Sequence, residues 1–106
     1  MVNKKILGLL GLSARARKVV FGSDSVENEI KKKTVSIVII AEDSSERTKN
    51  KFKKLCLEYG VSIVATGDIE TLSKAIGKNN KAVIGIKDVN ISNEIKKISN
   101  GGDVIG

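Results

Sequence analysis

The segment spanning residues 21–33 combines a glycine, short polar side chains and flanking lysines in a pattern suited to binding phosphate. Gly22 follows the β-branched pair Val19 and Val20, and a helical apolar stripe begins at Val26. A helix that starts at a glycine turn presents unpaired backbone N–H groups and the positive end of its dipole, and both attract anions. We therefore predict that this segment binds the ligand, with N-cap side chains available from Ser23, Asp24 and Ser25.

Residue types that carry out catalysis or hold metals are scarce in this chain. It has no histidine and one cysteine, which excludes the usual zinc and iron sites. Cys56 falls on the apolar stripe of a helix, where we predict a packing role. Glu42 and Asp43 follow a buried strand, as the acids of an enzyme could, but helix capping accounts for Asp43 and no nucleophile accompanies the pair. We predict no catalytic activity, no metal site and no cofactor.

Positive charge is concentrated in the first third of the chain. The 106 residues contain 19 Lys and Arg against 12 Asp and Glu, a formal net charge of +7. Residues 1–33 contain eight basic and three acidic residues, and so account for five of these seven charges. A localised basic surface favours a polyanionic partner, because neutralising phosphates releases their counterions. The alternative is a solvated basic surface without a partner.

The glycine motifs of nucleotide-binding proteins are absent. No G-x-G-x-x-G follows a strand, there is no Walker sequence, and the acids near the strand ends match a phosphoacceptor domain only in part. Of the three aromatic residues, Phe52 and Tyr59 belong to a predicted core stripe, so we do not expect a stacking platform for single strands. A basic surface with few aromatics fits recognition of a folded RNA through its backbone, 2′-hydroxyl groups and a few base edges.

The hydrophobic pattern predicts helices that alternate with short apolar strands. We predict helices over roughly 4–16, 22–33, 44–59, 68–76 and 91–98, and strands over 18–21, 35–41, 61–66 and 82–86. Predicted helix caps are Asn3, Asp43 or Ser44, and Asp68; Leu9 and Thr48 are among the side chains predicted to face the core. This alternation is typical of an α/β fold, here a three-layer α/β/α sandwich around a small mixed sheet of about four strands.

Length and composition predict one domain in the cytoplasm. A chain of 106 residues with 41% hydrophobic content can bury its own core, so we predict a single domain over 1–106, frayed from about residue 100. A single cysteine is typical of a reducing compartment, and no apolar run approaches the roughly 20 residues of a membrane span. We predict a monomer without membrane contact.

Four spaced segments resemble one known family of proteins. They are residues 12–22 (LSARARKVVFG), 39–45 (IIAEDSS), 55–58 (LCLE) and 72–78 (LSKAIGK). In this order they are similar to the kink-turn-binding ribosomal protein superfamily of large-subunit protein seven, archaeal/eukaryotic type, and most similar to its small bacterial YlxQ-like branch. The resemblance covers roughly residues 4–90. It implies an α/β/α sandwich that binds a kink-turn, a sharply bent RNA helix with tandem sheared G·A pairs, in rRNA or another ribonucleoprotein, with ribosomal proteins as further partners.

The resemblance also implies two RNA contact surfaces. Family members bind RNA with a Gly-x-Asn-Glu-x-Thr-Lys stretch that opens the second helix, and residues 22–28 (GSDSVEN) stand in that place. Only the glycine is retained, since an aspartate, a serine and an asparagine replace the family's asparagine, glutamate and lysine. The second surface is the basic loop after the fourth helix. The implied RNA-contacting residues are Gly22, Ser23, Asp24, Ser25, Asn28, Lys32, Lys74, Gly77, Lys78 and Lys81.

Other functions stay open on the sequence. A protein-interaction or ribosome-assembly module could use the glycine-bearing first helix, with Leu7 and Leu12 at its surface. A small-ligand domain could hold a phosphate at the helix start after Gly22. The residues after Gly22 could also form a capped helix that has lost its RNA.

Overall fold

Five helices and four strands alternate in residues 3–99, which are the residues that the computed structural model describes. The helices are α1 (Lys4–Arg15), α2 (Ser23–Lys31), α3 (Glu46–Tyr59), α4 (Ile69–Ala75) and α5 (Val89–Ser99). The strands are β1 (Val19–Phe21), β2 (Ile37–Ile40), β3 (Ser62–Ala65) and β4 (Val83–Ile86). This order confirms the predicted alternation, while the predicted frayed tail lies outside the described residues.

The four strands form one mixed sheet in the order β1-β4-β2-β3. Strands β2 and β3 are parallel, and β4 is antiparallel to both of its neighbours. Ile84 of β4 lies opposite Phe21 of β1 on one side and Ile39 of β2 on the other. The last of these strands in the chain therefore joins the first two.

Two hydrophobic cores cover the two faces of the sheet. Helices α1, α4 and α5 pack on one face and helices α2 and α3 on the other. All four side chains of β2 are buried, because successive residues of a strand point to opposite faces and both faces are covered. The structure therefore confirms the predicted three-layer α/β/α sandwich. Its largest buried side chains include Ile6, Leu10, Leu72 and Ile95 in one core and Ile30, Phe52 and Ile63 in the other.

Helix caps agree with the prediction for α1 and α4 and differ for α3. The side-chain oxygens of Asn3 and Asp68 cap α1 and α4, as predicted. Helix α3 is capped by Ser45, whose Oγ accepts from the backbone N–H of Thr48 at 3.1 Å, so the prediction of Asp43 or Ser44 was wrong. Asp43 instead accepts a hydrogen bond from the first residue of the neighbouring helix α4.

Several side chains predicted to face the core are only half-buried, among them Leu9 and Thr48. Leu9 still packs against the core, and Ser13 completes the buried face of α1. Cys56 is buried, and this burial raises the pKa of its thiol to about 12. A protonated, inaccessible thiol fits the predicted packing role.

Candidate nucleic-acid interface

The Gly22 turn connects the end of β1 to the first residue of α2. Gly22 is the N-cap of α2, with φ of 88° and ψ of 147°, a conformation that residues with a side chain rarely adopt. Its N–H donates to the carbonyl of Val83 at 3.0 Å, and its carbonyl accepts from the N–H of Val26 at 2.9 Å. Hydrogen bonds to β4 and α2 thus fix the turn, and its backbone angle requires a glycine.

The start of α2 has no side-chain cap, so the N-cap role predicted for Ser23, Asp24 and Ser25 was wrong. The side chains of Asp24 and Ser25 are exposed, and that of Ser23 is half-buried. A helix leaves its first backbone N–H groups without intrahelical acceptors. The N–H groups of Ser23, Asp24 and Ser25 donate to no other described residue. The turn therefore presents unpaired donors together with two exposed polar side chains.

The loop between α4 and β4 is held from inside by Ser73. The buried Ser73 hydroxyl accepts from the N–H of Lys81 at 2.7 Å and donates to the carbonyl of Lys81 at 3.2 Å. The Ser73 carbonyl accepts from the N–H of Lys78 at 2.8 Å. Gly77 and Asn80 complete the turn with φ of 71° and 54°. The sequence analysis did not identify Ser73. The one sequence feature that could have indicated its role is that this serine adjoins Leu72 on the buried face of α4.

Phe21 brings this loop against the Gly22 turn. The Nζ atoms of Lys78 and Lys81 lie 5.1 and 5.4 Å from the centroid of the Phe21 ring. Contacts of this kind stabilise by about 0.5–1 kcal/mol at exposed sites. Neither lysine forms an ion pair with another residue of the described range 3–99. Two positive charges are thus held beside the open start of α2 by Phe21, which begins the segment predicted to bind the ligand but was not among the implied RNA-contacting residues.

Lys74, near the end of α4, and Gly77, within the loop, both face α1. Lys74 pairs with Glu70 at 3.2 Å across one turn of α4, with both side chains largely exposed. A shallow groove of about 370 Å³ separates this end of α4 from α1, and Arg15 of α1 lines it together with Lys74 and Gly77. Arg15 is therefore a further cation next to the predicted loop surface.

Lys32 lies at the opposite end of α2. It is the C-cap residue, ten positions after Gly22, and therefore about 15 Å away along the helix. Its Nζ pairs with Glu29 at 3.5 Å. Asn28 is exposed midway between the two ends. The structure thus brings the start of α2 together with the α4–β4 loop and leaves Lys32 apart from them.

The acids of α2 neutralise lysines around its C-terminal half. Glu27 pairs with Lys51 at 2.7 Å and with Lys31 at 3.0 Å, and hydrogen bonds from these two ammonium groups lower the pKa of Glu27. A hydrogen bond from Lys87, at 2.8 Å, is the main cause that lowers the pKa of Glu29 to about 2. This half of the helix has much less unpaired positive charge than its lysine content indicates.

The carboxylates that follow β2 take part in the fold. Glu42 accepts from the N–H of Gly67 at 3.1 Å, and Asp43 accepts from that of Ile69 at 2.9 Å. Residues 3–99 contain no group of three or more His, Cys, Asp and Glu side chains that could hold a metal ion. None of the helices in this range is long and apolar enough to cross a membrane.

The chain belongs to the ribosomal protein L7Ae/L30e/S12e/Gadd45 family, whose model matches residues 4–96. The RNA-binding protein YlxQ of Bacillus subtilis (strain 168) is 36% identical over 87 residues, which are 82% of this chain and 87% of that protein. The RNA-binding protein YlxQ of Enterococcus faecium is 32% identical over 98 residues, 92% of this chain and 94% of that protein. The resemblance drawn from residues 12–22 and the other three segments is confirmed.

Solved structures show the same fold. A protein with unknown function from Bacillus halodurans C has a TM-score of 0.88 at 34% identity, over 92% of this chain and 99% of that one. The 15.5kD RNA binding protein of Giardia lamblia has a TM-score of 0.79 at 20% identity, over 93% of this chain and 91% of that one. At that lower identity, the second likeness establishes the fold alone.

Proposed function

We propose that this chain is a small, non-catalytic RNA-binding protein that recognises a kink-turn or a similarly bent RNA. The observation that carries the proposal is the pair of lysines, Lys78 and Lys81, held on the Phe21 ring beside the uncapped start of α2. Membership of the ribosomal protein family and the two YlxQ relatives, both named as RNA-binding proteins, support it.

The start of α2 would meet both the backbone and the bases of this RNA. Unpaired N–H groups at a helix start bind phosphate, and the glycine allows close approach of the backbone. The carboxylate of Asp24 would accept hydrogen bonds from guanine amino groups, and the Ser25 hydroxyl and Asn28 amide would donate or accept at base edges.

The α4–β4 loop would contribute positive charge to the same RNA. Lys78 and Lys81 would contact phosphates, with Lys74 and Gly77 at the border of the contact. Lys32 would touch only an RNA that extends along α2, because it lies about 15 Å from the Gly22 turn. We further propose a single cytoplasmic domain over residues 1–106 that acts as a monomer on rRNA or another ribonucleoprotein.

Titration of the protein with two matched RNAs tests this function. One RNA contains a kink-turn, and the other has its tandem G·A pairs replaced by Watson–Crick pairs. Recognition of the bend predicts at least about tenfold tighter binding of the first RNA, equivalent to about 1.4 kcal/mol. Equal affinities would contradict kink-turn recognition and leave nonspecific electrostatics.

Two further outcomes of the same experiment point to the other candidate functions. Thermal stabilisation by mononucleotides, without preference for either RNA, would indicate a small-ligand domain that holds phosphate at the start of α2. Absence of binding to both RNAs would favour a protein-interaction module, for which the exposed Leu12 of α1 offers one apolar side chain.

A further inference from the structure

We infer that the outer face of α3 is a second phosphate-binding surface, which holds the stem of the same RNA where it leaves the Gly22 turn. We call the surface formed by Arg47, Lys53 and Lys54 the α3 basic face. The inference rests on the proposed RNA-binding function and adds a contact that the two surfaces implied by the family do not include.

Helix α3 contains five basic side chains, of which acids neutralise two. Lys49 pairs with Glu46 at 3.7 Å, and Lys51 pairs with Glu27 of α2 at 2.7 Å. The remaining three are exposed and form no ion pair with any residue in the described part of the chain: Arg47, Lys53 and Lys54.

Helical spacing places two of these charges on the side away from the core, and Lys53 on the flank of the helix. Phe52 and Cys56 are the buried residues of α3, and Arg47 and Lys54 lie on the opposite side of the helix. Seven residues make two turns, so these two side chains share one face, about 10 Å apart along the axis. One strand of a B-form duplex carries a phosphate about every 3.4 Å along its axis, and the spacing in an A-form RNA stem is somewhat shorter, so this face spans at least about three phosphates.

The α3 basic face begins at the sheet edge that carries the Gly22 turn. The N–H groups of Gly22 and Ala41 donate to the carbonyls of Val83 and Ala82, at 3.0 and 2.9 Å, and thus meet the start of β4 side by side. Because Ala41 leads into the turn before α3, Arg47 lies in the helical turn nearest to the proposed RNA. From there α3 runs beside α2 and away from that edge.

The neighbouring acids leave this face open to an anion. Both carboxylate oxygens of Glu27, the α2 acid nearest to α3, already hold lysines, at 3.0 and 2.7 Å. Glu58 comes one turn after Lys54 and ends the basic face. A polyanion that follows α3 from Arg47 to Lys54 therefore passes positive side chains without meeting an unpaired carboxylate of α2.

The composition of the face favours nucleic acid over a lipid surface. A helix that lies on a membrane needs a row of apolar side chains opposite its polar face. Leu57, at 76% exposure, is the one large apolar residue that α3 exposes. A row of charges with a single apolar neighbour fits the backbone of an RNA stem, where contacts are electrostatic and independent of sequence.

The test compares two double variants on two kink-turn RNAs. Arg47→Gln/Lys54→Gln removes two charges from the α3 basic face, and Lys96→Gln/Lys97→Gln removes two from α5 in the opposite layer. One RNA has stems of about 12 base pairs, and the other keeps the bend with stems cut to the shortest stable length.

For the long-stemmed RNA, we expect the α3 variant to bind about tenfold more weakly near 0.1 M salt, with a salt slope lower by about two. For the short-stemmed RNA we expect a change below about twofold, and the α5 variant should change neither RNA by more than that.

Wild-type affinity of the α3 variant for the long-stemmed RNA would overturn the inference, and so would an equal loss on both RNAs. Loss of binding to phosphatidylserine vesicles with RNA binding intact would assign the face to lipid instead. Lys78→Ala, measured in parallel, separates the two proposals: if it weakens binding while the α3 variant does not, only the second surface fails. If neither does, the proposed function fails as well.

Discussion

Both ends of helix α2 have lysines around them, and the two groups of lysines differ in what they contact. At the C-terminal end, Glu29 pairs with both Lys32 and Lys87. At the N-terminal end, Lys78 and Lys81 contact an aromatic ring and pair with no acid in residues 3–99. An aromatic ring holds an ammonium group in place and leaves its positive charge intact. A carboxylate holds the group in place and also neutralises its charge. The position of the acids, more than the number of lysines, thus decides how much unpaired positive charge each end presents.

A methyl group added at the Gly22 turn should have the largest effect on this comparison. Gly22→Ala places a side chain where the backbone would approach phosphate, and loss of one charged hydrogen bond there predicts about tenfold to a hundredfold weaker RNA binding. Gly60→Ala is the matched control, because Gly60 also has a positive φ, 68°, at the far end of α3.

Both glycine variants should unfold more easily, by about 1–3 kcal/mol, because each forces a side chain into an unfavourable backbone conformation. Urea unfolding measures this cost. RNA titration should then show weaker binding for Gly22→Ala and wild-type affinity for Gly60→Ala. A folded Gly22→Ala protein with wild-type affinity would remove the turn from the interface.

Removing the Ser73 hydroxyl should loosen the loop that carries the two lysines. Ser73→Ala loses both hydrogen bonds to Lys81 and leaves its backbone groups unsatisfied, a cost of about 1–3 kcal/mol in unfolding free energy. RNA affinity should fall as well, with the salt slope unchanged because no charge is lost. Ser92→Ala provides the control, since the buried Ser92 hydroxyl has no hydrogen-bond partner. Equal stability of the two variants would contradict the proposed restraint of the loop.

Two single lysine substitutions measure the difference between the ends directly. Lys78→Ala should lower the salt slope of RNA binding by about one and the affinity severalfold. Lys32→Ala should change both less, because Lys32 is paired and lies about 15 Å away from the turn. Titrations at four or more salt concentrations give both slopes. A larger loss from Lys32→Ala would reverse the assignment of the two ends.

Low pH should weaken only the ion pairs at the C-terminal end of α2, and we expect this to be the smallest of the effects predicted here. The folded pKa of Glu29 is about 2, below its usual 4.5, so its stabilising contribution is complete above pH 4.5 and is lost as the pH falls towards 2. Glu29→Gln removes this contribution at all pH values. The variant should therefore be less stable than wild type at pH 7, and the difference should shrink between pH 4.5 and 2. A constant difference across this range, measured by urea unfolding, would contradict the role of the Lys87 pair.

Local patterns in the sequence were enough to predict the three layers of the fold. They were not enough to predict the side-chain contacts that form the candidate site. The continuous apolar run of β2 required cover on both faces, and two helical layers provide it. The glycine turn and the start of a helix at Gly22 could likewise be predicted, since both depend on residues that are adjacent in the sequence. The pairing of Lys51 with Glu27 and the contact of Phe21 with Lys78 join residues 24 and 57 positions apart, which no local pattern encodes. Lys32 was included in the site because the family resemblance implies a basic residue there, and the length of α2 places it about 15 Å from the Gly22 turn.

The place of β4 between β1 and β2 determines when the interface can exist during synthesis. A nascent chain that ends at α4 has the glycine turn but lacks the Val83 carbonyl that fixes it and the loop that supplies Lys78 and Lys81. An RNA bound at the proposed interface would therefore select only chains whose sheet is complete. At a concentration of a hundred times its Kd, a ligand that binds only the folded state adds about 2.7 kcal/mol to the free energy of unfolding. That gain would stabilise the whole sheet, because β4 holds its strands together.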